Sequence, residues 1–426
     1  MLRLLRVILI VVLLGGVLPA VPAAADTVLP PSYCQEVPQS INESYLICVP
    51  PNWTDPFDVV VFAHGYVPPG APITQYYEQL ILSDGQFLPN LANGLGYAFI
   101  STSYTKNGLA VKEGLADTVR LIEWFKMQPP WAGHVGRVYL IGASEGGLIT
   151  TLAAEKSAPI SGGLALCGPI GDFRSQLNYW GDFRVLFDYF YKNVLPPSPV
   201  VIPPEVMLNW NTVYTPTIIS LMMNPANQHT TEQLLKTSRA PIDRADPGTA
   251  IETTVGILSY NVFATNEGQQ ELRGQPFDNK LKWYTGSDND RKLNGSNGVQ
   301  RFKAQLPLTA MADIRSNYQT SGKLKVPLIT MHTTGDPIVP YWHETLYNAK
   351  TLLGGTPLKH INIPIVRYGH CSFKSSEAVA AFAILVYRAT GQAPADVSAV
   401  LPTSKLRQDF ADLVHQYQPE LPVDPR

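Results

Sequence analysis

Residues 142–146, Gly-Ala-Ser-Glu-Gly, fit the pattern G-x-S-x-G, in which glycines flank a central serine. The apolar run 138–141 before them predicts a buried parallel strand, and 147–155 after them predicts a helix. A serine at such a tight strand-to-helix turn presents its hydroxyl clear of the sheet, and the turn leaves room only for glycine on either side. The context indicates a nucleophilic Ser144. The alternative is an ordinary glycine-rich turn.

A serine hydroxyl needs a base to take its proton, and a carboxylate usually orients that base. His370 follows an apolar run at 361–366, and Asp336 follows another at 326–331. Functional groups of an open parallel sheet gather beyond the carboxyl ends of its strands. We therefore expect Ser144, Asp336 and His370 to form a catalytic triad, in a chain order known for such triads.

Each partner also has a structural interpretation. Asp336 could be only a turn residue before Pro337, and His370 could be a hydrogen-bonded structural histidine. Glu344 is a rival carboxylate, but it falls inside a predicted helix. His64 lies next to the expected site, and we interpret it as a support for the neighbouring loop, outside the triad.

Short apolar runs alternate with amphipathic stretches over most of the chain, which predicts an α/β fold with a mostly parallel, doubly wound sheet. The predicted strands are residues 44–48, 59–63, 97–101, 138–141, 163–167, 326–331 and 361–366. The predicted helices are residues 75–94, 109–127, 147–155, 342–353, 375–390 and 404–416.

Residues 172–310 break this rhythm, because they are rich in aromatic residues and proline and later in polar turns. We interpret them as a large, mainly helical lid inserted into the α/β core. The core then has a first part at 26–171 and a second part at 311–426.

The first 25 residues indicate export. A basic start precedes the apolar stretch 7–18 and the small residues 23–25, which predicts a secretory signal peptide cleaved after Ala25. An uncleaved anchor is the alternative, but the apolar stretch is shorter than the roughly 20 residues that a spanning helix needs. We expect a secreted or periplasmic protein with no stable membrane insertion after cleavage.

The exported chain has four cysteines, at positions 34, 48, 167 and 371. An even number in an oxidising compartment suggests two disulfides, and four cysteines allow three pairings. A Cys34–Cys48 bridge would close a local loop and contribute about 3 kcal/mol, which would leave Cys167 and Cys371 as the second pair. The alternative is that Cys167 and Cys371 are buried and unpaired.

The net charge of −2 over 426 residues gives no reason to expect nucleic acid or an anionic membrane surface as a partner. The histidines outside the expected site show no ligand spacing such as H-x-x-x-H, so the sequence predicts no metal site. It also carries no prediction of oligomeric state.

Four motifs, in this order along the chain, resemble the α/β-hydrolase superfamily: His64-Gly65-Tyr66, Gly142-Ala143-Ser144-Glu145-Gly146, Gly335-Asp336-Pro337 and Gly369-His370. The resemblance covers roughly residues 55–200 and 311–395 and is to a secreted serine esterase. It implies that Ser144 is the nucleophile, His370 the general base and then acid, and Asp336 the orienting carboxylate, with no cofactor. It also implies an oxyanion hole made by the backbone N–H groups of Glu145 and Tyr66.

More distantly, the chain resembles tannase and fungal-type feruloyl esterases, which have a cysteine just after the catalytic histidine, as Cys371 follows His370. A Cys167–Cys371 disulfide would tether the histidine loop beside the nucleophile. In those enzymes the partner cysteine comes immediately before the serine, where this chain has Ala143. This difference weakens any transfer of their substrates.

The expected activity is hydrolysis of a small-molecule or polymeric carboxylic ester through an acyl-enzyme on Ser144. The aromatic lid suggests an apolar or aromatic acyl or alcohol group. Two other functions stay open: a serine peptidase or amidase on the same triad, and a binding protein of this fold without turnover. The complete triad argues against the binding protein, and lyase or transferase chemistry is a further option on this scaffold.

Overall fold

The computed structural model describes residues 33–40, 42–50, 53–393 and 396–423, so the signal peptide predicted at 1–25 lies outside the described residues. The chain forms two compact units. The helical unit comprises 173–316 and 335–340, and the sheet unit comprises the other described residues. Within the described ranges, no helix is both long and apolar enough to span a membrane.

The sheet unit is built on a single sheet. Its strands are β1 (Cys34–Ser40), β2 (Glu43–Cys48), β3 (Phe57–Ala63), β4 (Ala98–Thr102), β5 (Val135–Ala143), β6 (Gly162–Leu166), β7 (Leu328–Gly335) and β8 (His360–Tyr368). They lie in the order β1-β2-β4-β3-β5-β6-β7-β8. β2 pairs antiparallel with β1 and β4, and the pairs β4-β3-β5-β6-β7 are parallel. The parallel strands are largely buried, which explains their nearly continuous apolar sequences.

The helices follow in chain order. They are α1 (Leu88–Gly94), α2 (Val111–Met127), α3 (Glu145–Glu155), α4 (Phe173–Phe190), α5 (Pro204–Leu208), α6 (Thr215–Met223), α7 (Gln228–Ser238), α8 (Gly248–Glu271), α9 (Asp290–Asn294), α10 (Leu308–Asn317), α11 (Trp342–Leu353), α12 (Ser375–Thr390) and α13 (Ser404–Tyr417). The long apolar faces of α3 and α12 are almost wholly buried, as expected for helices that cover a parallel sheet.

The helix predicted at 75–94 is wrong as a continuous element. The structure has a short 3₁₀ helix at Tyr77–Leu80 and then α1. Between them, Ile81 and Phe87 form an isolated antiparallel β-bridge. The chain reverses at Gly85, whose φ of +81° favours glycine. The apolar residues had helical spacing, but this turn interrupts the helix.

The strand predictions were also incomplete, most clearly for β1 and β7. β1 was missed, because its exposed, polar sequence with Pro38 has little strand character. Pro38 and an exposed charge such as Glu36 are typical of the edge strand that β1 forms. β7 begins only after Pro327 and extends four residues beyond the predicted end at Met331, to Gly335.

The long segment between β6 and β7 leaves and re-enters the sheet unit at one place. Thr320 Oγ1 donates a hydrogen bond to Ile170 O at 2.6 Å. Glu155, at the end of α3, accepts the backbone N–H groups of Ser321 and Gly322 at 2.7 Å each. The returning chain is therefore held by the sheet unit's own residues.

Candidate active site

Ser144 occupies the turn between β5 and α3 in a conformation that few non-glycine residues adopt. Its φ is +57° and its ψ is −117°, and such a conformation costs on the order of 1–3 kcal/mol. The Ser144 N–H donates to Leu166 O at 2.8 Å, which fixes the turn against the end of β6. This is the geometry of a nucleophile elbow.

The two glycines of the motif are required by close backbone packing. A Cβ atom at Gly142 would lie 2.1 Å from Gly146 O, and a Cβ at Gly146 would lie 2.0 Å from Ala63 O. Neither glycine has a positive φ, so the requirement comes from space. It lets the start of α3 approach the end of β3 closely beside Ser144.

His370 lies in the loop just after β8, and its Nε2 atom is 2.9 Å from Ser144 Oγ. This is a hydrogen-bonding distance, and a serine hydroxyl can donate to the acceptor nitrogen of a neutral imidazole. Gly369, with a φ of +112°, turns the chain before the histidine, and its carbonyl accepts a hydrogen bond from Thr333 Oγ1 in β7. The structure thus brings Ser144 and His370 together.

Asp336 directly follows β7 and groups with the helical unit. Its side chain is fully buried, and its Oδ1 accepts the backbone N–H groups of Ile338 and Val339 at 2.8 and 3.0 Å. In α4, Gln176 Nε2 and Trp180 Nε1 both donate to Ile338 O, at 2.8 and 3.0 Å. These hydrogen bonds of Oδ1 stabilise a turn, as expected if Asp336 is a turn residue. Whether its negative charge also has a function can be tested by mutation.

The rival carboxylate, Glu344 in α11, is engaged in a buried polar network of the sheet unit. Its Oε1 lies 3.1 Å from His332 Nδ1. Its Oε2 accepts hydrogen bonds from Thr330 Oγ1 at 2.6 Å and from Asn362 Nδ2 at 2.8 Å. Both carboxylate oxygens are therefore used by residues of β7 and β8.

The two backbone groups expected to form the oxyanion hole lie in different elements. Glu145 is the first residue of α3, where backbone N–H groups have no intrahelical acceptor and the helix dipole is positive. In the loop after β3, the Gly65 N–H donates to Gln79 Oε1 at 2.7 Å, so that amide is committed. The amides of Glu145 and Tyr66 remain the predicted oxyanion hole.

His64, the first residue of the loop after β3, is buried against Tyr104. Its Nδ1 lies 2.7 Å from Gly65 O, and its ring stacks on the Tyr104 ring with centroids 3.8 Å apart. Burial lowers the pKa of His64, and backbone contacts with Gly65 and Ser103 oppose this shift only in part. A neutral, packed histidine of this kind supports the loop that carries Tyr66.

The Glu145 side chain had no role in the sequence interpretation. It is buried, and its Oε1 accepts the Ala110 N–H at 2.9 Å, just before the start of α2. The carboxylate thus links the beginning of α2 to the beginning of α3. A negative charge at the start of α3 also interacts favourably with the helix dipole. No local pattern could have found this contact, because 35 residues separate the two partners.

Both expected disulfides are present, and the described residues contain no unpaired cysteine. Cys34–Cys48 joins β1 to β2. Cys167–Cys371 joins the residue after β6 to the residue after His370, with Cα atoms 5.4 Å apart. The second disulfide therefore links the histidine loop to the strand beside the elbow.

The class of fold follows from these elements. A mostly parallel sheet in the order β1-β2-β4-β3-β5-β6-β7-β8, with an antiparallel β2 and a serine elbow between β5 and α3, is the α/β-hydrolase fold.

No protein-family model matches the sequence, and no curated protein is significantly similar to it. Among solved structures, feruloyl esterase B from Aspergillus oryzae is similar, at 14% identity over 85% of this chain and 81% of that chain, with a TM-score of 0.46. An arylesterase is similar at 13% identity over 89% of each chain, with a TM-score of 0.38.

The acylaminoacyl peptidase of Pyrococcus horikoshii is similar at 14% identity over 86% of this chain, with a TM-score of 0.39. This chain spans 44% of the length of that peptidase. All three TM-scores are below 0.5, so the fold assignment rests on the strand order and elbow of this chain itself.

Proposed function

We propose that this protein is an exported serine hydrolase that cleaves carboxylic esters. The observation that carries the proposal is the 2.9 Å contact between Ser144 Oγ and His370 Nε2 at a strained nucleophile elbow. Strain of this kind persists only where the surrounding structure imposes it, and it is concentrated at functional sites. The two disulfides support export to an oxidising compartment.

In the proposed reaction, Ser144 Oγ attacks the ester carbonyl while its proton passes to His370 Nε2. The backbone N–H groups of Glu145 and Tyr66 stabilise the oxyanion, where losing one donor typically costs about 3 kcal/mol. The alcohol leaves with the proton from His370, and water then releases the acid from Ser144. Asp336 holds the imidazole orientation and stabilises its positive charge.

We further propose that the helical unit is the lid of this enzyme. It is inserted between β6 and β7 and has its own apolar core, which includes buried aromatic side chains such as Phe183, Phe187 and Trp210. These side chains stabilise the unit itself, and a lid of this kind would exclude water from the site when it closes.

The first test combines a fluorophosphonate probe with two chromogenic substrates. We expect the probe mass on the peptide that contains Ser144, and hydrolysis of p-nitrophenyl acetate far faster than that of an aminoacyl anilide. Ser144→Ala should lose both labelling and turnover while keeping the circular dichroism spectrum and melting temperature of the wild type.

Three outcomes would count against the ester hydrolase. Full activity in Ser144→Ala would exclude the proposed nucleophile. Labelling of Ser144 with dominant anilide cleavage would assign a peptidase or amidase instead. A folded wild type without label or turnover on either substrate would favour a binding protein of this fold.

A further inference from the structure

Three side chains at the proposed active site carry atoms of the types that serve as metal ligands in proteins. Single ligand atoms of Cys167, His370 and Cys371 all lie within 4.8 Å of one another. Cys371 Sγ is 3.7 Å from His370 Nε2. In the oxidised protein the two sulfurs are bonded to each other, and the thiolate form of cysteine is the one that binds metals. Reduction would release both sulfurs beside the imidazole.

One ligand spacing already matches a tetrahedral zinc site, whereas the two sulfurs, bonded to each other in the oxidised protein, must separate to roughly 3.8 Å after reduction. With Zn–S near 2.3 Å and Zn–N near 2.0–2.1 Å, neighbouring sulfur and nitrogen ligands lie roughly 3.6 Å apart. The observed separation of Cys371 Sγ and His370 Nε2 is 3.7 Å. Two thiolates and one imidazole form a recognised zinc ligand set that keeps its fourth position for water.

The backbone on both sides of the disulfide is held by contacts that do not need the S–S bond. The Cys167 N–H donates to Met331 O at 2.9 Å, and Cys371 O accepts the Phe373 N–H at 3.0 Å. Both cysteines have positive φ, +46° and +51°, which indicates that the surrounding structure fixes their conformation. We therefore expect the backbone at Cys167 and Cys371 to keep its position after reduction, while the freed sulfurs turn apart to reach one metal ion.

We propose that reduction of the Cys167–Cys371 disulfide creates a zinc site formed by Cys167, His370 and Cys371, and that zinc bound there stops catalysis. A phosphine reductant and one water give a phosphine oxide and two thiols. Each thiol then loses a proton as it binds Zn²⁺. The Nε2 lone pair of His370 coordinates the metal and no longer accepts the Ser144 proton. This last step rests on the proposed function, whereas zinc binding does not.

Zinc binding is tested on the full mature chain carrying Cys34→Ser and Cys48→Ser, which leaves one disulfide. After reduction with a phosphine, Zn²⁺ is titrated in competition with a chromophoric chelator, and Co²⁺ is used as a spectroscopic probe of thiolate ligation. We expect one equivalent of Zn²⁺ bound after reduction, none before it, and a sulfur-to-cobalt charge-transfer band. In the same background, Cys371→Ser should lose the site, and His370→Gln should bind more than about tenfold more weakly.

A second measurement serves if that variant does not fold. In the reduced wild type, iodoacetamide alkylation followed by mass spectrometry reports each cysteine separately. We expect Zn²⁺ to protect Cys167 and Cys371 far more than Cys34 and Cys48. Equal protection of all four cysteines, no binding after reduction, or unchanged binding in Cys371→Ser would overturn the site.

Ester hydrolysis separates the two parts of the proposal. We expect one equivalent of Zn²⁺ to suppress turnover of the reduced enzyme, and a chelator to restore it. Zinc binding without loss of turnover would overturn the inhibitory step and count against His370 as the base. Loss of the zinc site together with normal dependence on Ser144 would overturn the metal site alone.

Discussion

Among single residues, Asp336 stabilises a turn and, in the proposed function, orients His370, and one substitution can separate the two roles. Its Oδ1 accepts two backbone N–H groups, and an asparagine oxygen can accept the same bonds without the negative charge. We expect Asp336→Asn to keep the turn and the melting temperature but to lower kcat for p-nitrophenyl acetate on the order of 10³-fold or more. Steady-state kinetics and a thermal melt on the same preparation measure both effects.

Glu344 provides the matched carboxylate. Because its oxygens are bonded to His332, Thr330 and Asn362, Glu344→Gln should lower stability and keep most of the turnover per folded molecule. A wild-type rate in Asp336→Asn, or a larger loss of turnover in Glu344→Gln, would assign the orienting role to a different carboxylate.

The glycine requirement of the elbow can be tested through stability alone. A Cβ at Gly146 would meet Ala63 O at 2.0 Å, whereas a Cβ at Gly268, in α8, would meet nothing within 4 Å. We expect Gly146→Ala to lower the free energy of unfolding by about 1–3 kcal/mol or more. Gly268→Ala should be neutral or raise it by about 0.5–1 kcal/mol. Urea unfolding measures both, and equal stability of the two variants would contradict the contact argument.

Single residues also show where sequence reasoning ends. The need for glycine at positions 142 and 146 could be predicted, because the motif implies a tight turn within a few residues. The buried bond between the Glu145 carboxylate and the Ala110 N–H could not, because it depends on how α2 packs against α3. Local chemistry follows from the sequence, whereas partners distant along the chain require the fold.

At the scale of elements, the network around Glu344 joins β7, β8 and α11 through polar groups in the core. Thr330 Oγ1 gives its hydrogen to Glu344 Oε2, so His360 Nε2, 3.0 Å away, must donate to Thr330. Burial lowers the pKa of His360, and the Glu344 charge opposes this only in part. The folded protein therefore holds His360 neutral at a pH where the unfolded chain protonates it.

This arrangement predicts loss of stability in mild acid. Below the unfolded pKa of about 6.5, the unfolded chain binds a proton that folded His360 does not, so the free energy of unfolding falls as pH falls. The share of His360 is at most about 1.4 kcal/mol per pH unit. His360→Gln retains a donor for Thr330, and we expect a smaller difference in urea stability between pH 7.5 and 5.5 than in the wild type. An equal difference in both proteins would show that His360 does not contribute.

Helices follow the apolar periodicity of the sequence where no tertiary contact competes with it. The helices at 342–353 and 375–390 were predicted with the observed bounds, because each has a clear apolar periodicity and no internal glycine or proline. The segment 75–94 has similar periodicity, yet Ser83 bonds to Phe373 O and Gly85 turns the chain. Contacts with a segment 290 residues away there outweighed helical spacing.

At the scale of the whole molecule, the two units each have a separate apolar core. Phe187, in α4, is fully buried in the core of the helical unit, and its ring stacks on Tyr191 with centroids 5.2 Å apart. Phe187→Ala should remove about 3–5 kcal/mol of packing. We expect hydrogen exchange to rise in α4, α7 and α8 and to change little in β3, β5 and β6, because local packing determines local opening.

Leu281→Ala is the matched control, because Leu281 is 94% exposed in the same unit. It should leave exchange unchanged throughout. If Phe187→Ala instead raised exchange equally in the sheet strands and in α4, the two units would unfold together as one cooperative structure.

The sequence predicts a break in the strand-helix rhythm at residue 172, because aromatic and proline-rich composition replaces short apolar runs there, and a lid at 172–310 stays a prediction. The helical unit, however, extends to Ser316 and also takes in 335–340, which carries Asp336. Gln176 and Trp180 of α4 donate hydrogen bonds to Ile338 O in this segment. Contacts between α4 and a segment so distant in sequence leave no local pattern.

The hydrogen bond between Thr320 and Ile170 bears on how such a protein can be remodelled. The two ends of the segment between Ile170 and Thr320 are held together by hydrogen bonds within the sheet unit. Each doubling of the length of a flexible loop adds only about 0.6 kcal/mol to the free energy of closing it. A change in chain length within this stretch therefore costs the sheet strands little, provided that Gln176 and Trp180 keep their hydrogen bonds to Ile338 O. Ile170 and Thr320 thus mark the two points between which insertions and deletions would leave the sheet connected as it is.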